Sequence, residues 1–575
     1  MCLLSHGGYT VRSHAFFFRT FRPALLNTFT SGYNRTRFFK DIVSGSTVGI
    51  VALPLAMAFA IASGCPPERG LFTAIVAGFI ISALGGSRFQ IGGPTGAFVV
   101  IVAGIIARHG YTGLVIATAM AGVILLVMGC CGLGRLLKFI PYPVTTGFTT
   151  GIALLIFTTQ VKDLLGLRVS ALPAEFLPKV TTLFHAVPTA SQNSMLVAGI
   201  TLLTIFLTRR FIPRFPSHIA GIISATAITM LCGLDISTIG TRFGGIPASL
   251  PSFALPEHFG DLMIVMMPDA ITIALLAAIE SLLSAVVADG MTGQQHNSST
   301  ELIAQGFANI ASSLFGGIPA TGAIARTATN IRAGAFSPVS GIVHALVLAL
   351  FIKFFAPIAS AIPLASLAGV LAYVAWDMSE LPKFIHILRA PKSDAAVMLG
   401  TFLLTVLIDL TVGVQFGVVL AALLLIGRIS DATQFQSWEH KKTMPSQQVP
   451  DWDHGIEVYE INGPFFFGCA ERFSQTFRLM SKPPQVIIFR MRHVHTIDAT
   501  ALHALELVLI RMKQLDVEIL FSGVDNSIQQ QMIRFGLLNH INRDNIHATF
   551  GSAWTQAQQH LDTHPTPPQE AQALS

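Results

Sequence analysis

The 575-residue sequence is poor in charge: Asp, Glu, Lys and Arg together make up 11%, against about 25% in an ordinary soluble domain. Hydrophobic residues reach 52%, and the mean hydropathy is +0.63. A single soluble core stops growing near roughly 250–300 residues, so a lone water-soluble globule is excluded and lipid must serve as part of the solvent. Cysteine is scarce as well. The six cysteines, Cys2, Cys65, Cys130, Cys131, Cys232 and Cys469, form no CxxC or metal-ligand spacing, which argues against a metal site or disulfide framework. No nucleophile–base pair stands out, and GGPTG at 92–96 lacks the lysine of a phosphate loop. Neither an enzyme nor a cofactor is expected. An apolar run ending in a small-residue cleavage site is also lacking, so no secretory signal is read.

The charge that is present is unevenly placed. It is sparse from Asp41 to Arg428 and ordinary from Asp431 onward, which separates a membrane portion from a soluble one. Much of the net +6 sits in the first 40 residues, where Arg12, Arg19, Arg22, Arg35, Arg37 and Lys40 meet no acid. That segment suits an organelle transit peptide or a cytoplasmic tail under the positive-inside rule. The second reading is taken, because the segments that follow already insert the chain; nucleic acid is not an expected partner. The expected organisation is a tail at 1–40, a transporter domain at 41–430, a linker at 431–453, a small domain at 454–563 and a disordered tail at 564–575.

Crossing a bilayer takes about 20 mostly apolar residues. Spans are read near 43–63, 70–86, 94–108, 112–133, 143–161, 191–210 and 217–234. A second set lies near 263–289, 300–316, 319–332, 337–357, 360–377, 394–410 and 412–430. With the N-terminus inside, the cytoplasmic segments gain Arg88, Arg135, Lys138, Arg209, Arg210, Arg214, Lys383, Arg389 and Lys392. An even span count then leaves both termini cytoplasmic.

The two sets echo each other. AGFIISALGGSRFQIGGPTGAF (77–98) has a counterpart in QGFANIASSLFGGIPATGAIA (305–325). Each passes from an apolar helix through a Gly-Gly turn and a proline into a short helix. An odd number of spans per set inverts the second copy, and Gly/Pro-interrupted segments in matching places of inverted halves point to a transporter's binding site. Span three is about 22 Å long at 1.5 Å per residue, short of the roughly 30 Å hydrocarbon core. Both short helices are expected to begin near the midplane, at Pro94 and Pro319, with their N–H groups and positive dipole ends facing an anion.

Span eight, ITIALLAAIESLLSAVVADG, places Ala277, Glu280, Ser281, Ser284 and Ala288 on one stripe. An ionisable side chain in a span is a functional hypothesis by default; a structural ion pair or helix contact is the alternative. Arg326 lies one turn inside span ten, where its guanidinium suits an anion, unless it pairs with Glu280 or reaches an interface. Phe59 on span one and Phe98 on span three are either pocket walls or plain packing.

These motifs resemble the SulP family of anion transporters. PERGLFTAIVAGFIISALGGSR (67–88) is similar to the family signature, departing at Arg69 and Phe72, where tyrosines are common. The resemblance implies fourteen spans in a 7+7 inverted repeat like that of the uracil transporter, a core and a gate subdomain, and a homodimer. It implies a substrate site at Phe59, Thr95, Gly96, Ala97, Phe98, Ser284, Gly322, Ala323, Ile324, Ala325 and Arg326, with Glu280 as the coupling residue. Sodium-coupled members carry Asp at position 280 and Thr at positions 284 and 324. Ile324 offers no side-chain oxygen, so a proton is the expected coupling ion. IARTATNIRAGAFSPVSG is similar to proton-coupled branches, including one that carries C4-dicarboxylates.

After the linker, IEVYEI, PQVIIFR and VEILFSG read as strands, and DATALHALELVLIRMKQL (498–515) as a helix capped by Asp498. This resembles an α/β STAS domain. Thr500 stands where soluble relatives are phosphorylated; an ordinary first-turn threonine is the other reading. The expected function is an elevator-like secondary transporter in the plasma (inner) membrane, taking sulfate, bicarbonate or a C4-dicarboxylate together with H+. An uncoupled channel or exchanger of the same fold, or a protein that signals through its STAS domain and its cytoplasmic partners, are the alternatives.

Overall fold

In the computed structural model, the described residues are 21–30, 32–135, 141–169, 172–173, 175–212, 215–247, 249–255, 259–408, 410–437, 455–478, 480 and 483–564. Most of the basic N-terminal tail, Lys138, Arg214, most of the linker and the C-terminal tail from 565 lie outside them.

The membrane portion is helical wherever apolar runs are long enough. Helix α1 (Arg35–Ala62) starts at Asn34, whose side chain accepts from the Arg37 N–H, and runs on through Pro54. Helix α2 (Pro67–Leu84) opens on proline at its first position, where the missing N–H costs nothing. A two-residue strand β1 (Gly92–Gly93) follows, then α3 (Phe98–Cys130), which breaks at Gly110, φ 67°, into two limbs. Helices α4 (Tyr142–Leu165), α5 (Gln192–Phe211) and α6 (Ser217–Leu231) complete the first set of seven spans. The second set is α7 (Met267–Thr292), α8 (Ser298–Leu314), strand β2 (Thr321–Gly322) with α9 (Ile324–Arg332), α10 (Val339–Ser360), α11 (Leu364–Met378), α12 (Lys392–Leu407) and α13 (Leu410–Ala432).

Every expected span is therefore occupied by a helix or a limb of one, in two sets of seven. Several begin later than the sequence suggests, among them the third at Phe98 instead of Pro94 and the tenth at Ile324 instead of Pro319. The residues before these two are drawn into extended backbone by pairing with one another. Amphipathic helices too short for a hydropathy window, such as Phe176–Ala186 and Leu381–Leu388, were not expected.

Packing divides the spans into two groups. Helices α1, α2, α3, α7, α8, α9 and α10 lie against one another, while α4, α5, α6, α11 and α12 form a second group. In the first, α3 and α8 cross at two glycines: a Cβ on Gly122 would lie 2.7 Å from the Gly306 carbonyl oxygen, and one on Gly306 would lie 2.7 Å from that of Gly122. Such backbone approach replaces the hydrophobic drive that lipid does not supply between helices.

The two repeats also hold each other's turns. Glu301 of α8 accepts from the N–H groups of Gly86 at 2.9 Å and Ser87 at 3.2 Å, in the first repeat. Thr73 of α2 accepts from the Ile318 N–H at 2.7 Å, in the second. Arg69 of α2 donates to the Gly316 carbonyl at 3.0 Å and stacks on the Tyr111 ring at 4.5 Å. The two signature departures differ: Arg69 has this bracing contact, while Phe72 is plain core.

The chain divides into compact units Met1–Val419 and Leu420–Ser575, the boundary falling inside α13. The second unit holds a five-stranded sheet in the order β3 (Gln434–Ser437), β4 (Ile456–Asn462), β5 (Val486–His493), β6 (Glu518–Ser522), β7 (Ile546–His547). The first pair is antiparallel and the rest parallel. Strand β3 lies in the stretch read as linker. Helices α14 (Phe467–Arg478), α15 (Ala499–Gln514) and α16 (Asn526–Phe535) bury a phenylalanine-rich core that includes Phe473, Phe477, Phe489 and Phe521. Helix α17 (Phe550–Thr563) joins a separate cluster through Ala553, Trp554 and Ala557.

Because a methyl at Gly306 meets backbone, Gly306→Ala is expected to lower the unfolding midpoint in detergent, at a cost of about 1–3 kcal/mol. Gly306→Leu is expected to abolish a monodisperse size-exclusion peak. Unaltered midpoint and elution in both variants would refute the tight crossing.

Candidate functional site

The site begins with backbone that is not helical. In hydrocarbon, each unpaired N–H or C=O costs several kcal/mol, and the two interrupted segments answer this by pairing with each other. Gly92 lies opposite Gly322 and Gly93 opposite Thr321, antiparallel, and the Ala323 N–H donates to the Ile91 carbonyl at 2.8 Å. Only glycine allows the approach. Gly93 has φ 153°, and a Cβ there would lie 2.7 Å from an Arg326 nitrogen; one on Gly322 would lie 2.0 Å from Gln90 Nε2.

From this ladder α3 and α9 start without side-chain caps. Among the described residues, no protein group accepts from the N–H groups of Thr95, Gly96 and Ala97, or from those of Ile324 and Ala325. Two helix starts with free donors thus lie beside one short ladder, each carrying about half a positive elementary charge.

Glu280 of α7 reaches this place: its carboxylate accepts from the Thr95 hydroxyl at 2.8 Å. The rest of its stripe also faces the interrupted segments. The Ala277 carbonyl accepts from the Thr321 hydroxyl at 2.8 Å. Ser281 accepts from Gln90 Nε2 at 2.8 Å, and Ser284 donates to the Thr327 hydroxyl at 3.1 Å. Ser284 therefore touches the start of α9 through Thr327, which also accepts from the Ile91 N–H at 3.1 Å.

Arg326 is 3% exposed. One guanidinium nitrogen donates to the Pro94 carbonyl at 3.0 Å, and a second has no partner among the described residues. No ion pair joins it to Glu280 among the described residues. Its neighbours Ile324 and Ala325 are exposed, while Arg326 itself turns toward Gly93 and Ala74 of α2. The charge thus lies within the ladder's own packing.

Phe59 and Phe98 are both buried, at 5% and 1% exposure, in different apolar clusters. Phe59 approaches the site by an edge. A Cβ on Gly96 would lie 3.3 Å from its ring, 2.8 Å from Ile156 and 3.3 Å from the Met378 sulfur. Ala97 and Ala323 are buried beside the ladder. Ile156, Met378, Gln90 and Thr327 were not singled out from sequence. The first two come from α4 and α11, in the other packing group, and no local signal marks them. Away from the membrane portion, Thr500 is exposed in the first turn of α15, where the Asp498 side chain accepts from the Ala501 N–H at 2.8 Å.

Residues 38–401 match the family model described as the sulfate permease family, and residues 451–553 match the STAS domain. The chain is 43% identical to "Putative sulfate transporter YvdB" of Bacillus subtilis, over 89% of this chain and 96% of that protein. It is 30% identical to "Bicarbonate transporter BicA" of Picosynechococcus, over 88% and 92% of the two. Among solved structures it is similar to SLC26A9, with a TM-score of 0.82 over 98% of both chains at 17% identity, a likeness of fold. It is also similar to the transmembrane domain of a cyanobacterial BicA, with a TM-score of 0.60 and 33% identity over 66% of this chain and 98% of that one. The relatives are named as transporters, not enzymes. With both membrane and STAS portions matched, the chain belongs to the sulfate permease family.

Proposed function

We propose that this protein is a secondary transporter of small anions, sulfate, bicarbonate or a C4-dicarboxylate, that moves its anion together with a proton. The observation that carries this reading is the meeting of two uncapped helix starts, a buried guanidinium and one carboxylate at the β1–β2 ladder. The anion would accept from the amides of Thr95, Gly96 and Ala97 on one side and of Ile324 and Ala325 on the other. Gly322 and Ala323 would set the spacing and Arg326 would supply the nearest full positive charge. Phe59, Ile156 and Met378 would form the apolar wall, with Phe98 beneath. Relatives named for sulfate and bicarbonate support the substrate class.

Glu280 is the proposed proton carrier. An ionised carboxylate within one threonine of the anion repels it, and a proton on that carboxylate removes the repulsion. Binding of the two is then mutually favourable. Ile324 gives no oxygen to a sodium ion, which favours the proton. The two packing groups support an elevator movement: the group holding the ladder slides against the group that contributes Ile156 and Met378. We place the protein in the plasma membrane as a homodimer with both termini cytoplasmic, and assign Thr500 to phosphorylation-dependent contacts of the STAS domain with cytoplasmic partners.

Three outcomes test this in proteoliposomes with labelled sulfate, bicarbonate and succinate. Glu280→Gln is expected to keep anion exchange while losing most of its acceleration by an inward proton gradient; full gradient-driven accumulation by this variant would sink the coupling role. Arg326→Ala is expected to weaken anion binding about tenfold or more, the range for losing a charged hydrogen-bonding partner; wild-type affinity would remove Arg326 from the site. Gly96→Val, which fills the space under Phe59, Ile156 and Met378, is expected to raise KM steeply in a folded protein. An unchanged KM would show that the anion binds elsewhere.

A further inference from the structure

His344 lies on α10, fully buried, and neither of its ring nitrogens has a hydrogen-bond partner among the described residues. A buried imidazole with neither nitrogen paired loses hydration without replacement. Its setting is polar. A Cβ on Gly78 of α2 would lie 3.7 Å from His344 Nδ1 and 3.1 Å from the Gly92 carbonyl oxygen, so the ring sits against α2 close to β1. One turn along α2 is Ala74, which lies 3.5 Å from where a Cβ on Gly93 would stand, the unpaired nitrogen of Arg326 lying 2.7 Å from the same point. One turn the other way is Ser82, whose hydroxyl is buried and also unpaired, next to Gly341. Three unsatisfied polar side chains therefore line one face of α2.

The charged groups around the ring are few. From α9 comes Arg326, one of whose guanidinium nitrogens lies 2.7 Å from where a Cβ on Gly93 would stand, next along β1 from Gly92. From α1 it has Asp41, which accepts from the N–H groups of Phe336 and Ser337 just before α10, about 10 Å along the helix at 1.5 Å per residue. From Asp41, hydroxyl and amide groups lead back toward His344. Tyr33 donates to Asp41 at 2.8 Å, Ser340 donates to the Ser337 carbonyl at 2.9 Å, and Asn330 donates to Ser340 at 2.9 Å. Ser340 is one turn before His344.

We propose that His344 is a second proton-binding group, loaded when an anion occupies the ladder site. The inference rests on the anion-site reading above. An imidazolium beside Arg326 is opposed by that charge. Burial opposes it as well; an anion at the ladder offsets the Arg326 charge and attracts the imidazolium, so the ring nitrogen's lone pair can take a proton from water entering along the Tyr33–Ser340 row. The proton returns to water when the anion leaves. By linkage, the anion then binds more tightly as the pH falls.

The test counts protons taken up on adding sulfate, which does not titrate between pH 5.5 and 7.5, to purified protein by calorimetry in two buffers of different ionisation heat. Glu280→Gln removes the first carrier. This variant is expected still to take up protons on binding sulfate at pH 5.5, less so at pH 7.5, with affinity rising by up to about tenfold per pH unit. Adding His344→Gln is expected to abolish both effects. Sulfate binding by Glu280→Gln without proton uptake overturns the proposal while leaving the anion site standing. So does equal uptake with and without His344. Failure of the wild-type protein to bind sulfate, bicarbonate or succinate overturns the anion site and this inference together.

Discussion

Polypeptide at the middle of a bilayer has no water to bond to, and four residues meet that requirement here. Gly92 and Gly93 pair with Thr321 and Gly322, and the remaining arrangement follows. Because those residues are extended, α3 and α9 begin late and short. Because the pairing is antiparallel, their starts lie beside the same ladder. Because the strands are flanked by Gln90 and Arg326, a side chain at Gly93 or Gly322 has no room.

The electrostatics of the membrane unit form a second layer on that scaffold. Glu301 is fully committed, holding two backbone N–H groups and the Gln305 amide at 3.1 Å. Asp41 is committed likewise to the turn before α10. Glu280 has one hydroxyl, and Arg326 one carbonyl. Buried charge that is hydrogen-bonded throughout is architecture; buried charge left partly unpaired is held in readiness for something mobile. On that criterion the site is picked out from its surroundings without reference to any relative.

Much of this was legible in the sequence. Hydropathy located the long spans, because a helix that meets lipid must be apolar along its length. The paired GGP and GGIPATG runs marked the interruption, and helical spacing put Glu280 with Ser281 and Ser284 on the stripe that meets it. Three things were not legible. The helix starts depend on a ladder between residues more than two hundred positions apart. Ile156 and Met378 enter from the other packing group, where nothing local separates a pocket residue from a core one. His344 looked like any histidine in an apolar run until both ring nitrogens proved to be unpaired.

The crossed grip of the repeats has a consequence for biogenesis. The turn of the first repeat is fastened by Glu301 and the turn of the second by Thr73, while Gly92 and Gly93 find partners only in Thr321 and Gly322. A ribosome that has delivered the first seven spans has made something with open backbone at the depth of the acyl chains. It must be sheltered until synthesis passes the second interruption. Half of this protein is thus an insertion intermediate, not a domain.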